Sequence, residues 1–368
     1  MAEESTSEQS GADTGARGGR RKALTVTAWT LTAVVLLGGA GLGYVWFKLN
    51  GNLKGVDIDA ALGTDRPEDV DNGSMDILVL GSDSREGPND KYGSAGQSGA
   101  RSDTAMVLHV YEGHEKASVV SIPRDTLVDR PACERTDGGG TAPAAQRVMF
   151  NEAYRVGGPT CTVKTAEAVS GIRMDHYLEV DFTGFRELVD ELGGVEITTR
   201  EPIRDRESRL DLPPGTHTLD GEQSLGLVRT RHAIGNGSDL GRIQLQQAFI
   251  KALVDQVKEI DLFGSPARLY DLADTATRTV TTDSELANVN DLLSFSKSLR
   301  AIDAADLNMI TLPVEYDPAD GNRVLPLEAQ SAMVWDALRQ DLPIPASATA
   351  DSAGEEAREK TEGVVDGS

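Results

Sequence analysis

Arginine stands beside aspartate in four separated stretches of the chain: Ser82-Asp83-Ser84-Arg85, Arg101-Ser102-Asp103-Thr104, Pro123-Arg124-Asp125, and Arg229-Thr230-Arg231 followed by Asp239-Leu240-Gly241-Arg242. Guanidinium forks match phosphate oxygens two at a time, and magnesium prefers carboxylate together with phosphate oxygen. One site built from these stretches would hold a pyrophosphate between arginines and a carboxylate-bound divalent cation. Taken singly, each stretch reads equally well as a surface ion pair, and an aspartate beside a turn often does no more than bond nearby amides. The recurrence of arginine beside turns in an acidic chain is what a shared anion site explains.

These residues need elements to hold them. Met75 to Leu80 is a short apolar run ending at Gly81 and reads as a strand. Thr104 to Tyr111 and Ala117 to Ile122 read as two more, joined by a turn at Glu112 to Glu115 in an antiparallel hairpin. Asp83 and Asp103 then project from neighbouring strand ends, and Arg124 is fixed at a strand end by Pro123. Helices are expected around Asn151 to Val156, Val163 to Ser170, Gly184 to Leu192 and Leu327 to Leu338, with strands at His176 to Val180 and Met309 to Pro313. Thr282 with Glu285 has the form of a capping box before a helix carrying Leu286, Val289 and Leu293. Asp239 is a candidate N-cap for a helix whose first turn holds Arg242 and whose next turn on the same face holds Gln246. Further along, Phe249, Ile250, Leu253, Val254 and Val257 form an apolar stripe, either core or one wall of a lipid groove. Arg229 and Arg231, two apart, share a face only if the segment is extended or frayed. The order of elements predicts one α/β domain over 75–345. Residues 48–74 read as a connector, and 346–368 as a disordered acidic tail.

In this order the blocks resemble the LytR-CpsA-Psr family, bacterial enzymes that attach anionic glycopolymers to peptidoglycan. The resemblance runs from about Met75 to Gln247 and rests on Leu80-Gly81-Ser82-Asp83-Ser84-Arg85, Arg101-Ser102-Asp103-Thr104, Ser121-Ile122-Pro123-Arg124-Asp125, Val228-Arg229-Thr230-Arg231 and Asp239-Leu240-Gly241-Arg242 with Gln246-Gln247. Leu245 stands where the family commonly has arginine. The resemblance implies an α-β-α sandwich around a mixed central sheet. It also implies a pyrophosphate held by Arg101, Arg124, Arg229, Arg231 and Gln246, to which Arg85 and Arg242 are added here, and a metal on Asp83 and Asp103. The metal would be magnesium, or another divalent cation such as manganese. Asp103, Arg124, Asp125 and Arg231 are the expected catalytic residues, with Asp103 and Asp125 unranked as the base. Both Arg124 and Arg231 are expected to serve the ligand more than the fold.

Composition narrows the partners. The 368 residues carry 59 acidic against 36 basic side chains, which excludes a nucleic-acid backbone as the main ligand. Residues 23–47 are 25 in number and uncharged, long enough to cross a bilayer, and follow Arg17, Arg20, Arg21 and Lys22. A single-pass transmembrane helix is expected, after a cytoplasmic tail over 1–22, with everything beyond Lys48 outside the cell. The alternative is a cleaved signal peptide. Cys133 and Cys161, on the oxidising side, are expected to pair, the alternative being two free thiols. The five scattered histidines give no zinc spacing. The expected activity is a phosphotransferase moving a glycopolymer from a polyprenyl pyrophosphate carrier to peptidoglycan, working beside membrane lipid. A polyprenyl-pyrophosphate hydrolase and a non-catalytic receptor for the lipid carrier are the alternatives.

Overall fold

A computed structural model describes residues 40–83, 102–231, 239–260, 265–361 and 364–367. Two compact units divide at Gly51. In the first, residues of a helix over 40–52 expose Leu42, Tyr44, Trp46 and Phe47. No described helix is long and apolar enough to cross a membrane. Most of the uncharged 23–47 run lies outside the described residues.

The second unit, Asn52–Ser368, is built on a seven-stranded mixed sheet. In chain order its strands are β1 (Lys54–Val56), β2 (Met75–Ser82), β3 (Ser102–Val110), β4 (Ala117–Ser121), β5 (His176–Asp181), β6 (Val280–Asp283) and β7 (Leu307–Thr311). In space they run β1-β6-β5-β2-β3-β4-β7. The meander β2-β3-β4 is antiparallel, while β5 joins β2 and β7 joins β4 in parallel. Alternation along β2 sends Leu78 and Leu80 into one core and Ile77 and Val79 into another on the opposite face. The first face packs on α1 (Glu152–Ser170) through Val163 and Ala166, and on α5 (Glu328–Arg339) through Val334, Trp335 and Leu338. The second face packs on Ile250 and Val254 of α4 (Asp239–Glu259), with Phe295 and Leu299. Helices thus cover both faces of the sheet, as expected.

Between β5 and β6 come α2 (Phe182–Glu191) and α3 (Gly221–Arg229). With Val195–Thr199, Gly215–Leu219 and the middle of α4, they enclose a further core. Helix α4 feeds three cores: Leu240 and Ile243 enter the first, Leu245 and Phe249 the one beside α3, and Ile250 and Val254 the last. Of the apolar stripe, Phe249 is buried, Ile250, Leu253 and Val254 are partly buried against these cores, and Val257 is exposed. Leu245, buried beside Phe249, faces the core beside α3.

Three expectations are corrected. Residues 48–74 are more than a connector: β1 pairs in parallel with β6, and Ile58 and Leu62 of a short helix enter the core. The tail over 346–368 is ordered where described, with α6 (Ala353–Thr361) packed on the first core and Val365–Gly367 paired antiparallel with Val195–Thr199. The expected domain of 75–345 thereby extends at both ends. Thr282 lies inside β6 and caps nothing; Asn288 caps the helix Val289–Ser298 by accepting from Asn290 N and Asp291 N.

Cys133 and Cys161 form a disulfide, with Cα atoms 5.5 Å apart. Helix α1 breaks at Gly157 and Gly158, ahead of Pro159. Glycine is required there, since a Cβ at 157 would come within 2.6 Å of the Cys161 Cβ, and Gly158 has φ +61°. Chain-entropy arguments give about 3.5 kcal/mol for a loop of this length. Mild reduction is therefore expected to lower the melting temperature by several degrees while two thiols appear by mass. An unchanged melt of the fully reduced protein would show that the cross-link stabilises nothing.

Candidate active site

Arg124, just past β4, is the hub of the site. Its Nη1 donates to Asp103 Oδ1 at 2.5 Å and its Nε to Asp125 Oδ2 at 3.4 Å. Its backbone N–H donates to Asp239 Oδ2 at 3.3 Å, and Asp239 Oδ1 lies 3.5 Å from Nε. Arg242, almost wholly buried in the first turn of α4, donates from Nη2 to the Asp103 carbonyl at 2.7 Å and lies 2.5 Å from Asp239 Oδ1. Burial opposes charge on Arg124, but Asp103, Asp239 and Asp125 outweigh it and raise its pKa. Burial also opposes charge on Asp103, and Arg242, Arg124 and Arg231 reverse that, holding its carboxyl below the usual range.

Arg229 closes α3 and Arg231 follows an extended Thr230, the frayed geometry that brings both toward Asp103. The Arg229 guanidinium lies 4.7 Å from the centroid of the Phe182 ring. The pKa values of both arginines are lowered, by burial first; Arg242 adds to this at both, and Arg124 at Arg231. Arg231 is anchored through its backbone, whose N–H donates to Asp205 Oδ2 at 2.9 Å. Cations crowded together and partly withdrawn from water form a site that an anion would relieve.

Gln246 lies one turn beyond Arg242, as expected, but uses its amide differently. Both Nε2 hydrogens are committed, to Thr104 Oγ1 and to the Val228 carbonyl, each at 3.0 Å. It ties β3 to α3 and has no donor left for phosphate. Asp239 is the first residue of α4 rather than its N-cap, and serves Arg124 and Arg242 together. Arg85 and Arg101 lie outside the described residues.

Asp83 and Asp103 flank the paired ends of β2 and β3, where Ser82 stands opposite Ser102. Asp83 acts electrostatically on Arg229 and Tyr154. Carboxylates on adjacent strand ends, one held ionised, are hard oxygen donors of the kind a divalent cation such as magnesium takes. His176, Asp283 and Glu285 also approach within 4.8 Å of one another. Asp283 is spent there on the backbone N–H groups of Tyr177, Glu285 and Leu286, so that grouping is a structural cap.

Beside the arginines opens a polar cavity of about 540 Å3, lined by Arg124, Asp125, Arg231 and Asp239. Its lining also includes residues that the sequence did not single out: Asn151, Glu152 and Arg155 at the start of α1, and Tyr316, Asn322 and Arg323 of the hairpin Val314–Pro326. Asp125 lines this space.

The LytR_cpsA_psr family model matches residues 45–340. The chain belongs to the LytR-CpsA-Psr family. It is 31% identical over 310 residues to the polyisoprenyl-teichoic acid–peptidoglycan teichoic acid transferase TagT of Bacillus subtilis, covering 81% of this chain and 88% of that protein. It is 29% identical over 375 residues to the cell wall biosynthesis protein LcpA of Corynebacterium glutamicum, covering 92% and 70%. Among solved structures, the LytR-Csp2A-Psr enzyme from Actinomyces oris aligns with a TM-score of 0.57 at 23% identity, covering 79% of this chain and 96% of that one, a likeness of fold. TagT bound to LI-WTA aligns with a TM-score of 0.53 at 25% identity, covering 76% and 97%. The LytR-CpsA-Psr match begins upstream of β1, in keeping with the place of residues 54–62 in the fold.

Proposed function

We propose that the chain is a transferase that moves a glycopolymer, with its phosphate, from a polyprenyl pyrophosphate carrier to a sugar hydroxyl of peptidoglycan. The observation that carries this reading is the crowding of Arg124, Arg229, Arg231 and Arg242 around Asp103, where burial and mutual repulsion call for a bound anion. Family membership and the transferase named as a relative support the glycopolymer as cargo.

Arg124, Arg229 and Arg231 would bind the pyrophosphate and hold its glycan-linked phosphorus in line with the attacking hydroxyl. The hydroxyl oxygen forms the new P–O bond, the bond to the polyprenyl phosphate breaks, and that phosphate leaves with its electron pair. Asp125 takes the hydroxyl proton, because it lines the cavity and its bond to Arg124 is the longer, 3.4 Å against 2.5 Å for Asp103. Arg242 and Gln246 position the clamp from α4. Asp83 and Asp103 would hold a divalent cation, which supplies charge neutralisation at the phosphate oxygens when bound. Excess chelator is expected to reduce turnover at least tenfold and added magnesium to restore it; full turnover in chelator would remove the metal from the reaction.

The deciding experiment gives the purified full chain a polyprenyl-pyrophosphate-linked glycan with and without peptidoglycan oligomers. A phosphodiester-linked conjugate is expected. Release of phosphorylated glycan alone would mark a hydrolase, and binding without turnover a receptor. We place residues 23–47 across the membrane with Arg20, Arg21 and Lys22 inside, on their charge and hydropathy. Protease added to wall-stripped cells should digest the chain beyond Lys48, and protection of that region would reverse the topology.

A further inference from the structure

Helix α3 ends where the arginine clamp begins, and what ends it lies outside α3. Were the helix to continue, the Arg231 N–H would donate to the Leu227 carbonyl four residues back, and the Arg229 and Arg231 side chains would point about 200° apart around the axis. Instead the Thr230 N–H takes that carbonyl at 3.1 Å, and Thr230 turns extended, with φ −62° and ψ 132°. The Arg231 N–H then needs a partner from elsewhere in the fold. Asp205 supplies it, its Oδ2 accepting that N–H at 2.9 Å.

Asp205 is only 4% exposed and is itself held in place. Its Oδ1 accepts from the N–H groups of Glu207 at 2.8 Å and Ser208 at 3.3 Å, closing the turn of the hairpin formed by Ile203–Asp205 and Leu210–Leu212. Ile203, Leu210 and Leu212 share a core with Leu227 of α3. At Gly226 the hairpin comes so close to α3 that a Cβ would lie 3.1 Å from the Ser208 carbonyl oxygen. A second tie runs beside the first. The buried Thr230 hydroxyl donates to the Gly226 carbonyl at 2.9 Å, so it accepts from the Ser208 hydroxyl, also at 2.9 Å. One carboxylate thus joins the hairpin to the main chain of Arg231, and one hydroxyl pair repeats the link a residue earlier.

We propose that Asp205 is a positioning residue of the active site: it ends α3 at Arg229 and fixes the main chain at Arg231, so that the Arg231 guanidinium is aimed at the pyrophosphate. The assignment rests on the transferase reading only through the role of Arg231.

The test is a double-mutant cycle on the purified full chain, read by calorimetric titration with inorganic pyrophosphate. Asp205→Asn keeps the shape of the side chain and replaces one of its two acceptor oxygens by a donor. It is expected to weaken pyrophosphate binding about tenfold in the parent background. With Arg231→Ala already present the loss should stay within about twofold, because a residue acting through Arg231 then has nothing left to position. An equal loss in both backgrounds, or none in the parent, would overturn the assignment and make Asp205 a structural residue. Ser208→Ala removes only the second tie and is expected to weaken binding about threefold. It decides on the same terms if Asp205→Asn melts below the assay temperature. If Arg231→Ala binds too weakly to titrate, phenylglyoxal labelling mapped by mass decides instead. Pyrophosphate should then shield Arg229 and Arg231 in the parent and Arg229 alone in Asp205→Asn; unchanged shielding of Arg231, or loss at both, overturns the assignment, as does a parent chain that binds no pyrophosphate. Transfer assayed on the same preparations keeps the two readings apart. A failed cycle in a chain that transfers removes the positioning role alone, and a cycle with the stated pattern in a chain that transfers nothing keeps that role and removes the transferase.

Discussion

Replacing Arg231 by alanine is expected to reduce transfer by about three orders of magnitude while leaving the melting temperature within about 2 °C of the parent. The first figure follows from removing a positioned cation from the charge that develops on the transferred phosphoryl group. The second follows from its surroundings. The Arg231 charge is disfavoured by burial and by Arg242 and Arg124, so removing it relieves that repulsion, while its backbone bond to Asp205 remains. Lysine at 231 should not restore turnover, because a point charge does not reproduce the guanidinium fork. Turnover and thermal melts on the same preparation check this. A collapse in melting temperature with normal activity per folded molecule would make Arg231 a structural residue.

Arg124→Ala is expected to fail differently, in both fold and function. Its side chain is only 18% exposed and faces Asp103, Asp125 and Asp239. Without it these carboxylates confront each other with Arg242 as the main remaining counter-charge. Breaking such a partly buried set costs about 3 kcal/mol. Chemical denaturation should show that loss alongside abolished transfer. Arg124→Lys should recover much of the stability and little of the turnover. A parent-like denaturation midpoint in Arg124→Ala would contradict the network. The surroundings of the two arginines thus lead to different expected outcomes where the sequence treats Arg124 and Arg231 alike. Adjacency in sequence gives the pairing of Arg124 with Asp125, but not the arrival of Asp103 and Asp239 from two other elements.

Much of the site was legible because its residues sit at the ends of strongly patterned elements. The meander from Met75 to Ser121 shows clear apolar runs and turns, so Asp83, Asp103 and Arg124 could be placed at strand ends. Helical spacing from Asp239 put Arg242 and Gln246 on one face, where both reach β3. The spacing could not say that Gln246 spends its donors on protein. What stayed hidden depends on distant partners. Lys54–Val56 is too short and polar to announce a strand and becomes one by pairing with residues 281–283. Val365–Gly367 gains its role from Thr199, Thr198 and Ile197 in the same way. Arg323 sits in a hairpin beside Asn322 and Gly321, with no neighbouring pattern to mark it, and meets Asp125 only through the fold.

The strand order bears on how the molecule comes together. The meander β2-β3-β4 pairs strands that follow one another in sequence, bringing Asp83, Asp103, Arg124 and Asp125 together early in the chain. Its outer neighbours arrive much later: β6 must return to meet β1, and β7 to meet β4. Arg229, Arg231 and Arg242 also come from beyond the meander. Contacts of such long sequence separation slow the search for the native state. Among the described residues, the early segment carries most of the site's carboxylates and the later one most of its arginines. The clamp among the described residues is therefore shared between early and late segments, and charge attraction between them favours the docking of α3 and α4 against the meander.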